Sequence, residues 1–218
     1  MTEHGKDMIM KLFMYPLAIS GGLTLLLSVA GCQSPIVPPV IPDLPTQPTT
    51  PDNQQTVTQQ AMRIQRALAN NDYASIINDI HPTKGVRFSM YTYVHLDKDK
   101  VFSRAQFAQY LRESRIRFTW GELDGVGDAY VVPLPVYLDS WIDAKKFDNA
   151  RITVNEFESR GNMINNVMEA YPGADVVDFY YRGSDKYDGM DWRGMRLVFE
   201  HYQGKRYLVG IVNDRWTV

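Results

Sequence analysis

The sequence predicts an α+β fold, in which helices pack on an antiparallel sheet that ends in a C-terminal β-meander. Two observations carry this prediction. Apolar residues recur at helical spacing early in the folded region, and side chains of alternating polarity fill 175–182, 195–202 and 206–213. Gly204 makes the last two segments a tight hairpin. Helices followed by consecutive strands are typical of α+β domains.

The first predicted helix begins at a capping box, Thr56-x-x-Gln59, in which each side chain bonds to the backbone N–H of the other residue. Its apolar stripe consists of Val57, Ala61, Ile64 and Leu68. Asn70-Asn71-Asp72 ends this helix and begins a shorter one through Ile80, which Pro82 stops. We therefore expect two helices before the first strand.

Residues 86–95 alternate between apolar and polar side chains and predict a half-buried strand. One face carries Val86, Phe88, Met90 and Val94. The other face carries Arg87, Ser89, Tyr91, Tyr93 and His95. In one interpretation the aromatic and basic members of this second face line a concave pocket. In another they form an outer face that a helix or water covers.

A second capping box, Ser103 with Gln106, marks the start of the next helix. Phe102 and Phe107 lie on either side of it and are expected to act as its hydrophobic staple. Phe107 also begins the buried stripe, which Tyr110 continues. The charged stretch Asp97-Lys98-Asp99-Lys100, which precedes this helix, is predicted to be a turn.

The middle of the domain alternates between strands and helices. Trp120 lies in a predicted strand, and Pro135 suits the first turn of a helix. Residues 151–157 predict a further strand, and Asn162 is expected to cap the helix that follows. That last helix carries Ile164, Val167, Met168 and Tyr171.

Composition excludes several classes of function. The chain has 23 basic and 25 acidic residues, so it lacks the positive charge that nucleic-acid binding requires, and we expect no nucleic-acid partner. A single cysteine, Cys32, excludes an intrachain disulfide and a zinc site built of thiolates. No G-x-S-x-G or phosphate-loop motif is present, and we expect no cofactor, no metal and no catalytic residue.

The N-terminus has the pattern of an export signal. Residues 1–11 carry Lys6 and Lys11, residues 12–29 carry no charge, and the start could be Met1, Met8 or Met10. Val29-Ala30-Gly31-Cys32 resembles the lipobox of bacterial lipoproteins. The resemblance implies cleavage before Cys32 and acylation of its thiol, palmitate included, which would anchor the protein in a lipid bilayer. The alternative is an incidental cysteine in an uncleaved anchor helix.

A proline-rich segment follows the cysteine. Residues 33–56 hold seven of the twelve prolines, and proline removes a backbone donor, so we expect an extended tether. A PxxP ligand for a partner protein is the alternative. Gln33 stands where a retention signal would resemble aspartate, which favours sorting to the outer membrane. The predicted organisation is a signal peptide at 1–31, the lipidated cysteine and tether at 32–56, and one α+β domain at 57–218.

Two resemblances bear on the domain itself. The order of helices and strands is similar to the NTF2-like cone, in which helices cover one face of a curved sheet. The predicted helices at 135–146 and 162–171 depart from that layout. The ending "GMDWRGMRLVFEHYQGKRYLVGIVNDRW" resembles bacterial envelope lipoprotein domains of uncharacterised activity. The first resemblance implies a curved sheet with a pocket, and the second implies no activity.

The loop 183–194 is the main candidate for ligand binding. Three aspartates lie three residues apart, beside aromatic and basic side chains. Carboxylates suit a cation or a sugar hydroxyl, and an aromatic face suits a ring. In the alternative, this is a polar loop connecting strands, in which Asp191 caps or pairs with Arg193 or Arg196 and Trp192 folds back on the core. The predicted ligand-binding residues are Asp188, Asp191, Trp192, Arg193 and His201.

Other charged groups have weaker signals. Asp97 and Asp99 have the D-x-D spacing of a calcium loop, but Val101 and Phe102 stand where further ligands are needed, which favours a solvated turn. Two carboxylate pairs, Asp124 with Asp128 and Glu200 with Asp214, could serve glycoside chemistry if they lay about 5–9.5 Å apart. His81, His95 and His201 lack metal-ligand spacing.

Two functions from different classes follow. The first is a non-enzymatic lipoprotein of the bacterial cell envelope, on its periplasmic or surface face, whose tethered domain binds an envelope protein or a glycan. The second is a tethered hydrolase or small-ligand-binding domain with an NTF2-like pocket. The sequence leaves enzymatic activity open but favours the first, because no catalytic signature is present.

Overall fold

The computed structural model of the chain describes residues 56–157, 161 and 163–216. The predicted signal peptide, Cys32 and the tether up to Gln55 lie outside the described residues, as does the predicted cap Asn162. None of the helices in the described ranges is long and apolar enough to cross a membrane.

The helices are short. They are α1 (Val57–Ala69), a 3-10 helix (Tyr73–Asp79), α2 (Arg104–Arg112), α3 (Leu134–Val136) continued by a π-helix (Tyr137–Ile142), a 3-10 helix (Ala144–Phe147), α4 (Val167–Ala170) and a 3-10 helix (Asp185–Tyr187). The strands are β1 (Val86–Ser89), β2 (Lys100–Phe102), β3 (Arg117–Glu122), β4 (Ala129–Pro133), β5 (Arg151–Val154), β6 (Asp175–Tyr181), β7 (Arg193–Tyr202) and β8 (Lys205–Arg215).

The α+β prediction is confirmed. Six strands form an open, curved sheet in the order β2-β1-β8-β7-β6-β5, and β3 with β4 forms a separate hairpin. Strands β6, β7 and β8 are the predicted C-terminal meander, and both residues of its last turn, Gln203 and Gly204, have positive φ. Strand β1 pairs with β8 in parallel, so the sheet is mixed.

Both predicted capping boxes are present. The Thr56 hydroxyl accepts from the Gln59 backbone N–H, and the Gln59 side chain accepts from the Thr56 N–H. Ser103 and Gln106 make the same reciprocal pair at the start of α2. Local chemistry therefore determines where these helices begin.

The two faces of the sheet bury different layers. One face packs against α1 and the helical segment 134–147, and its core includes Trp120 stacked on Tyr137 with ring centroids 3.7 Å apart. The other face packs against α4 and the segment that joins β1 to β2. This second core is smaller and consists of Val94, Val167, Tyr171, Ala174, Val176, Val198, Val209 and Val212.

Two sequence predictions are corrected here. The strand expected at 86–95 ends at Ser89, because the Trp141 indole N–H donates to the Met90 carbonyl at 2.9 Å and the chain leaves the sheet. The helix expected through Ile164 is only the single turn α4, and Ile164 is 73% exposed. At Met90, a hydrogen bond from a distant residue overrides the local alternation. At Ile164, the side chain is not buried, so the predicted apolar face of the helix does not form.

Candidate functional site

The most distinctive local feature is the segment 90–99, which we call the site loop. It joins β1 to β2 without regular structure, yet it carries buried residues such as Met90, Thr92 and Val94. A buried irregular segment must satisfy its backbone polar groups through side chains. The site loop does so through contacts from several distant elements.

Three side chains on other elements hold the first half of the site loop. Trp141 binds the Met90 carbonyl, as described above. The Arg196 guanidinium donates to the Thr92 hydroxyl. Asn166 makes two bonds to one residue, accepting from the Val94 N–H at 2.7 Å and donating to the Val94 carbonyl at 3.1 Å.

Arg196 is itself the centre of a buried ionic cluster. It is 1% exposed and lies 3.3 Å from Asp178 Oδ1 and 2.9 Å from Asp214 Oδ2, and both carboxylates are buried. The Phe157 ring covers the guanidinium at 5.5 Å. The cluster therefore joins β6, β7 and β8 to the site loop through Thr92.

Asp99 closes the second half of the site loop. Its Oδ2 accepts from the Ser89 hydroxyl at 2.6 Å and from the His95 backbone N–H at 2.9 Å. Burial raises the pKa of the Asp99 carboxyl, although both hydrogen bonds oppose the shift. A carboxyl whose charge is disfavoured by the fold, at the edge of a cavity, is a candidate functional group.

A cavity of about 320 Å³ lies between the site loop and β3, and we call it the aromatic cleft. Its side chains combine aromatic rings with charged groups. They include Tyr91, Tyr93, His95, Asp99, Trp120 and Glu122. Both the volume and the mixture of apolar walls with a few polar groups match small-molecule binding sites.

The rings of the aromatic cleft are held in place. Trp120 is buried and stacks on Tyr137, which fixes its ring in the wall of the cleft. The Tyr91 hydroxyl accepts from the Asp124 N–H at 2.9 Å, which fastens the β3–β4 turn to the site loop. Tyr93 is 42% exposed, and its ring centroid lies 4.8 Å from that of His95. Tyr93 is therefore the accessible ring of the cleft.

A second cavity, of about 340 Å³, lies on the other side of Tyr93 and His95, and we call it the middle cleft. Asp97, Asn166 and Glu169 contribute to its walls. Because Tyr93 and His95 line both cavities, the two clefts meet at this pair of rings. A ligand longer than one ring could therefore occupy both.

The residues predicted from sequence in the loop 183–194 have other roles. Asp191 accepts from the Ser184 N–H at 2.6 Å and from its hydroxyl at 3.1 Å, and these bonds lower the pKa of the Asp191 carboxyl. Asp188 is exposed, with positive φ, at the end of a one-turn 3-10 helix. Trp192 lies 6.5 Å from the Tyr180 ring. Asp191 thus closes its own loop instead of pairing with Arg193 or Arg196.

Arg193 and His201 lie at opposite ends of β7. Eight residues of a strand separate them by roughly 26 Å. Arg193 lies 3.9 Å from Asp143 and donates to the Trp141 carbonyl at 3.4 Å. His201 is exposed and lies 3.5 Å from Asp175. The structure does not bring the predicted ligand-binding residues into one cavity.

The remaining candidate groups are also dispersed. Glu200 pairs with Lys84 at the surface, whereas Asp214 lies in the buried cluster at the far end of the sheet. His81 is buried in a turn and its Nδ1 accepts from the N–H groups of the two residues after Pro82. In the part of the chain that the structure describes, no three His, Cys, Asp or Glu residues are placed to hold a metal ion.

The sequence offers the polar face of Arg87, Tyr91, Tyr93 and His95 as a pocket in one of two interpretations, and all of these except Arg87 line the aromatic cleft. Sequence reasoning missed Asp99, Trp120 and Glu122 as members of one cavity. The only signal was the alternation of residues 86–95 beside the D-x-D spacing of Asp97 and Asp99. Trp120 comes from another element, and no local pattern connects it to the site loop.

No family model and no curated protein sequence matches the chain. Among solved structures, Aln2 from a Streptomyces species is similar at 12% identity, with 73% of this chain and 87% of that chain covered. The TM-score is 0.32, so the likeness carries no argument about fold or function.

Proposed function

We propose that this chain is a bacterial envelope lipoprotein, anchored through acylated Cys32, whose folded domain binds a glycan in the aromatic cleft. The lipobox-like residues 29–32 and the proline-rich tether support the anchor. Gln33 supports location at the outer membrane. The test is mass spectrometry of the N-terminal peptide together with membrane fractionation. We expect Cys32 of the wild-type chain to carry diacylglycerol and the C32A variant to be lost from membranes. An unmodified cysteine contradicts the anchor.

The observation that supports glycan binding is the pairing of aromatic rings with carboxyl groups in one cleft of about 320 Å³. A sugar ring offers a C–H face that packs on an aromatic ring and hydroxyls that donate to carboxylates. Tyr93 supplies the accessible ring, and Asp99 and Glu122 supply acceptors. The lining also includes the ring of Trp120, which is buried.

Rigidity is the second support. The site loop is held by Trp141, Arg196, Asn166 and Asp99 before any ligand arrives. A preformed site loses less conformational entropy on binding than a mobile loop does. This explains why an irregular segment is fastened by so many buried polar contacts.

The test is a glycan array probed with the expressed chain purified in detergent, followed by titration of the best-bound glycan. Y93A is expected to weaken that binding at least tenfold. The matched control is Y187A, because Tyr187 is 49% exposed and lies in the loop 183–194. Absence of binding to every glycan, or equal losses in both variants, contradicts the proposal.

Hydrolysis of the bound glycan is the second candidate, since Asp99 and Glu122 line the same cavity and burial raises the pKa of Asp99. Two carboxyl groups on one cavity can divide the roles of general acid and of nucleophile or base in glycoside hydrolysis. In this case D99N abolishes product formation, while binding to the array is weakened but still measurable. Wild-type protein that binds a glycan and releases no product after prolonged incubation excludes hydrolysis.

A further inference from the structure

Residues 81–85, which we call the entry turn, lead the chain from the first 3-10 helix into β1. His81 holds both ends of this turn. Its backbone N–H donates to the Leu208 carbonyl on β8 at 2.9 Å, and its carbonyl accepts from the Gly85 N–H at 3.0 Å. Gly85 has a positive φ, and a Cβ there would clash with the Phe102 carbonyl on β2. The entry turn is therefore packed closely against both strands.

The His81 imidazole holds the middle of the entry turn. Its Nδ1 accepts from the Lys84 N–H at 3.0 Å and from the Thr83 N–H at 3.2 Å. A backbone N–H can only donate, so Nδ1 must present a lone pair and the ring proton must lie on Nε2. A proton on Nδ1 would set a third donor against these two. The closed turn therefore requires a neutral imidazole.

Two tyrosine rings enclose the imidazole. His81 is 2% exposed, and its ring centroid lies 5.0 Å from that of Tyr202 and 5.7 Å from that of Tyr207. The Arg104 guanidinium lies over the other ring contact, 5.3 Å from the centroid of Tyr207, and donates to the Ile80 carbonyl at 2.7 Å. An imidazolium in this position would face aromatic rings and a fixed cation instead of water. Protonation therefore requires the turn to move.

The charged groups around the imidazole act in opposite directions. They are Lys84 in the turn, Arg104 on α2 and Glu200 on β7, while Asp79 on the preceding 3-10 helix is paired with Arg63. Burial lowers the pKa of His81, and both cations lower it further, whereas Glu200 opposes the shift. The Glu200 carboxylate is already paired with Lys84. It is therefore the group that an imidazolium could take over.

We propose that the entry turn is an acid-sensitive switch, in which Glu200 exchanges Lys84 for the protonated His81 side chain. In the closed form His81 is neutral and binds the two turn amides, and Lys84 is paired with Glu200. In the open form the imidazolium pairs with Glu200, and the turn amides and Lys84 are released to water. Among the described strands Val86 pairs with β2 alone, whereas Arg87 pairs with both β2 and β8, so the opening ends at Arg87.

The exchange alters a cavity beside β1. This cavity has a volume of about 310 Å³, and Lys84, Arg87 and Glu200 contribute to its lining. Lys84 leaves the wall when the turn opens, whereas Arg87 stays in place because its strand remains paired on both sides. Acid therefore changes the lining of this cavity without unfolding the sheet.

The sign and size of the effect follow from proton linkage. The open turn has a histidine of ordinary pKa, about 6.5, and takes up a proton that the closed turn excludes. The open form is therefore favoured as the pH falls below that value. Lowering the pH from 7.5 to 5.5 is expected to raise the opening equilibrium constant about tenfold.

The test is amide hydrogen exchange of the full chain purified in detergent, at pH 7.5 and 5.5, corrected for the intrinsic pH dependence of exchange. Protection of the Thr83 and Lys84 amides is expected to fall about tenfold at the lower pH. The Gln106 amide is the internal control, because it donates to the Ser103 hydroxyl, which does not titrate in this range, and its protection is expected to stay unchanged. H81N is the matched variant, since an asparagine oxygen can accept from the same two amides and does not titrate. Its protection is expected to be equal at both pH values.

Two further variants test the partner exchange. E200Q removes the carboxylate that receives the imidazolium, so the fall in protection of the Lys84 amide is expected to be smaller than in the wild type. H201N removes an exposed histidine from the same strand and is expected to behave like the wild type. The same fall in E200Q as in the wild type overturns the exchange of partners.

The switch itself is overturned by any of four results. These are equal protection of the Thr83 and Lys84 amides at both pH values, a fall that H81N shares, a fall that the Gln106 amide shares, and a His81 ring proton on Nδ1 at pH 7.5. Nitrogen-15 NMR of the imidazole measures the last of these directly. None of these readouts depends on glycan binding, so the switch and the proposed function stand or fall separately.

Discussion

Replacement of Arg196 by methionine tests how the site loop is held. Arg196 is 1% exposed, and its guanidinium contacts two buried carboxylates, Asp178 and Asp214, as well as the Thr92 hydroxyl. R196M keeps most of the apolar volume but removes the charge. Removing one partner of a buried ion cluster typically costs about 3–5 kcal/mol, because the remaining charges stay desolvated. We expect this loss in the free energy of unfolding.

The assay is urea unfolding at pH 7, followed by far-UV circular dichroism and by tryptophan fluorescence. The matched control is R63M, because Arg63 also pairs with an aspartate, Asp79, but its side chain is 43% exposed. Exposed pairs contribute about 0–1 kcal/mol, so R63M is expected to stay within that range. The triple variant R196M/D178N/D214N is expected to recover part of the loss, because no charge then remains buried in the cluster.

The refuting result is a destabilisation of R196M below about 1 kcal/mol, or one equal to that of R63M. Either would mean that solvent reaches the cluster and that it does not hold the site loop. A second readout separates stability from site geometry. Amide exchange of Thr92 in R196M is expected to accelerate more than that of β6, because the link from Arg196 to the loop is lost.

Three further predictions concern other groups around the clefts. N166A removes both bonds to Val94 and is expected to cost about 1–3 kcal/mol, with faster exchange of the Val94 amide; unchanged exchange contradicts the role of Asn166. D99N is expected to be at least as stable as the wild type at pH 7, because burial raises the pKa of Asp99 and disfavours its charge in the folded state. It is also expected to bind glycan more weakly, because a carboxylate acceptor is lost. A clear loss of stability would show that the charge itself is needed. Burial lowers the pKa of His81 below its ordinary 6.5, so the unfolded chain takes up the proton before the folded chain does. The free energy of unfolding is therefore expected to fall as the pH drops below about 6.5, and urea unfolding from pH 7.5 to 5 measures this. An H81N variant with the same pH dependence as the wild type refutes it.

The helix starts and the last hairpin could be predicted because their causes are local. The Thr56–Gln59 and Ser103–Gln106 boxes need residues only three positions apart, and the turn at Gly204 needs two positive φ angles. The alternation through 86–89 also assigned the correct buried face, since Val86 and Phe88 are both buried. These elements required no information about distant residues.

The site loop could not be predicted, because the contacts that end β1 come from far along the chain. Trp141 reaches Met90 across 51 residues, Asn166 reaches Val94 across 72, and Arg196 reaches Thr92 across 104. An alternating pattern continues past Ser89 in the sequence, but it contains no sign that Trp141 and Asn166 bond to the backbone there or that Arg196 bonds to the Thr92 hydroxyl. Sheet pairing therefore stops where tertiary contacts replace it.

The hydrogen bonds inside the loop 183–194 could not be predicted from its composition. Its composition suggested free carboxylates, but Asp191 is used by Ser184. The alternation along the chain places the side chains at 91, 93 and 95 on one face, but it does not show that they line a cavity. What makes them a cleft is Trp120 on β3, whose approach depends on the register of a separate hairpin.

The indole N–H signals of the protein test the central proposal most directly, because two of its tryptophans mark the two competing sites. Trp120 lines the aromatic cleft, and Trp192 belongs to the loop 183–194. On titration with the best-bound glycan from the array, we expect the Trp120 signal to shift saturably while that of Trp192 stays unchanged. A shift of Trp192 alone, or of neither signal, would contradict binding in the aromatic cleft.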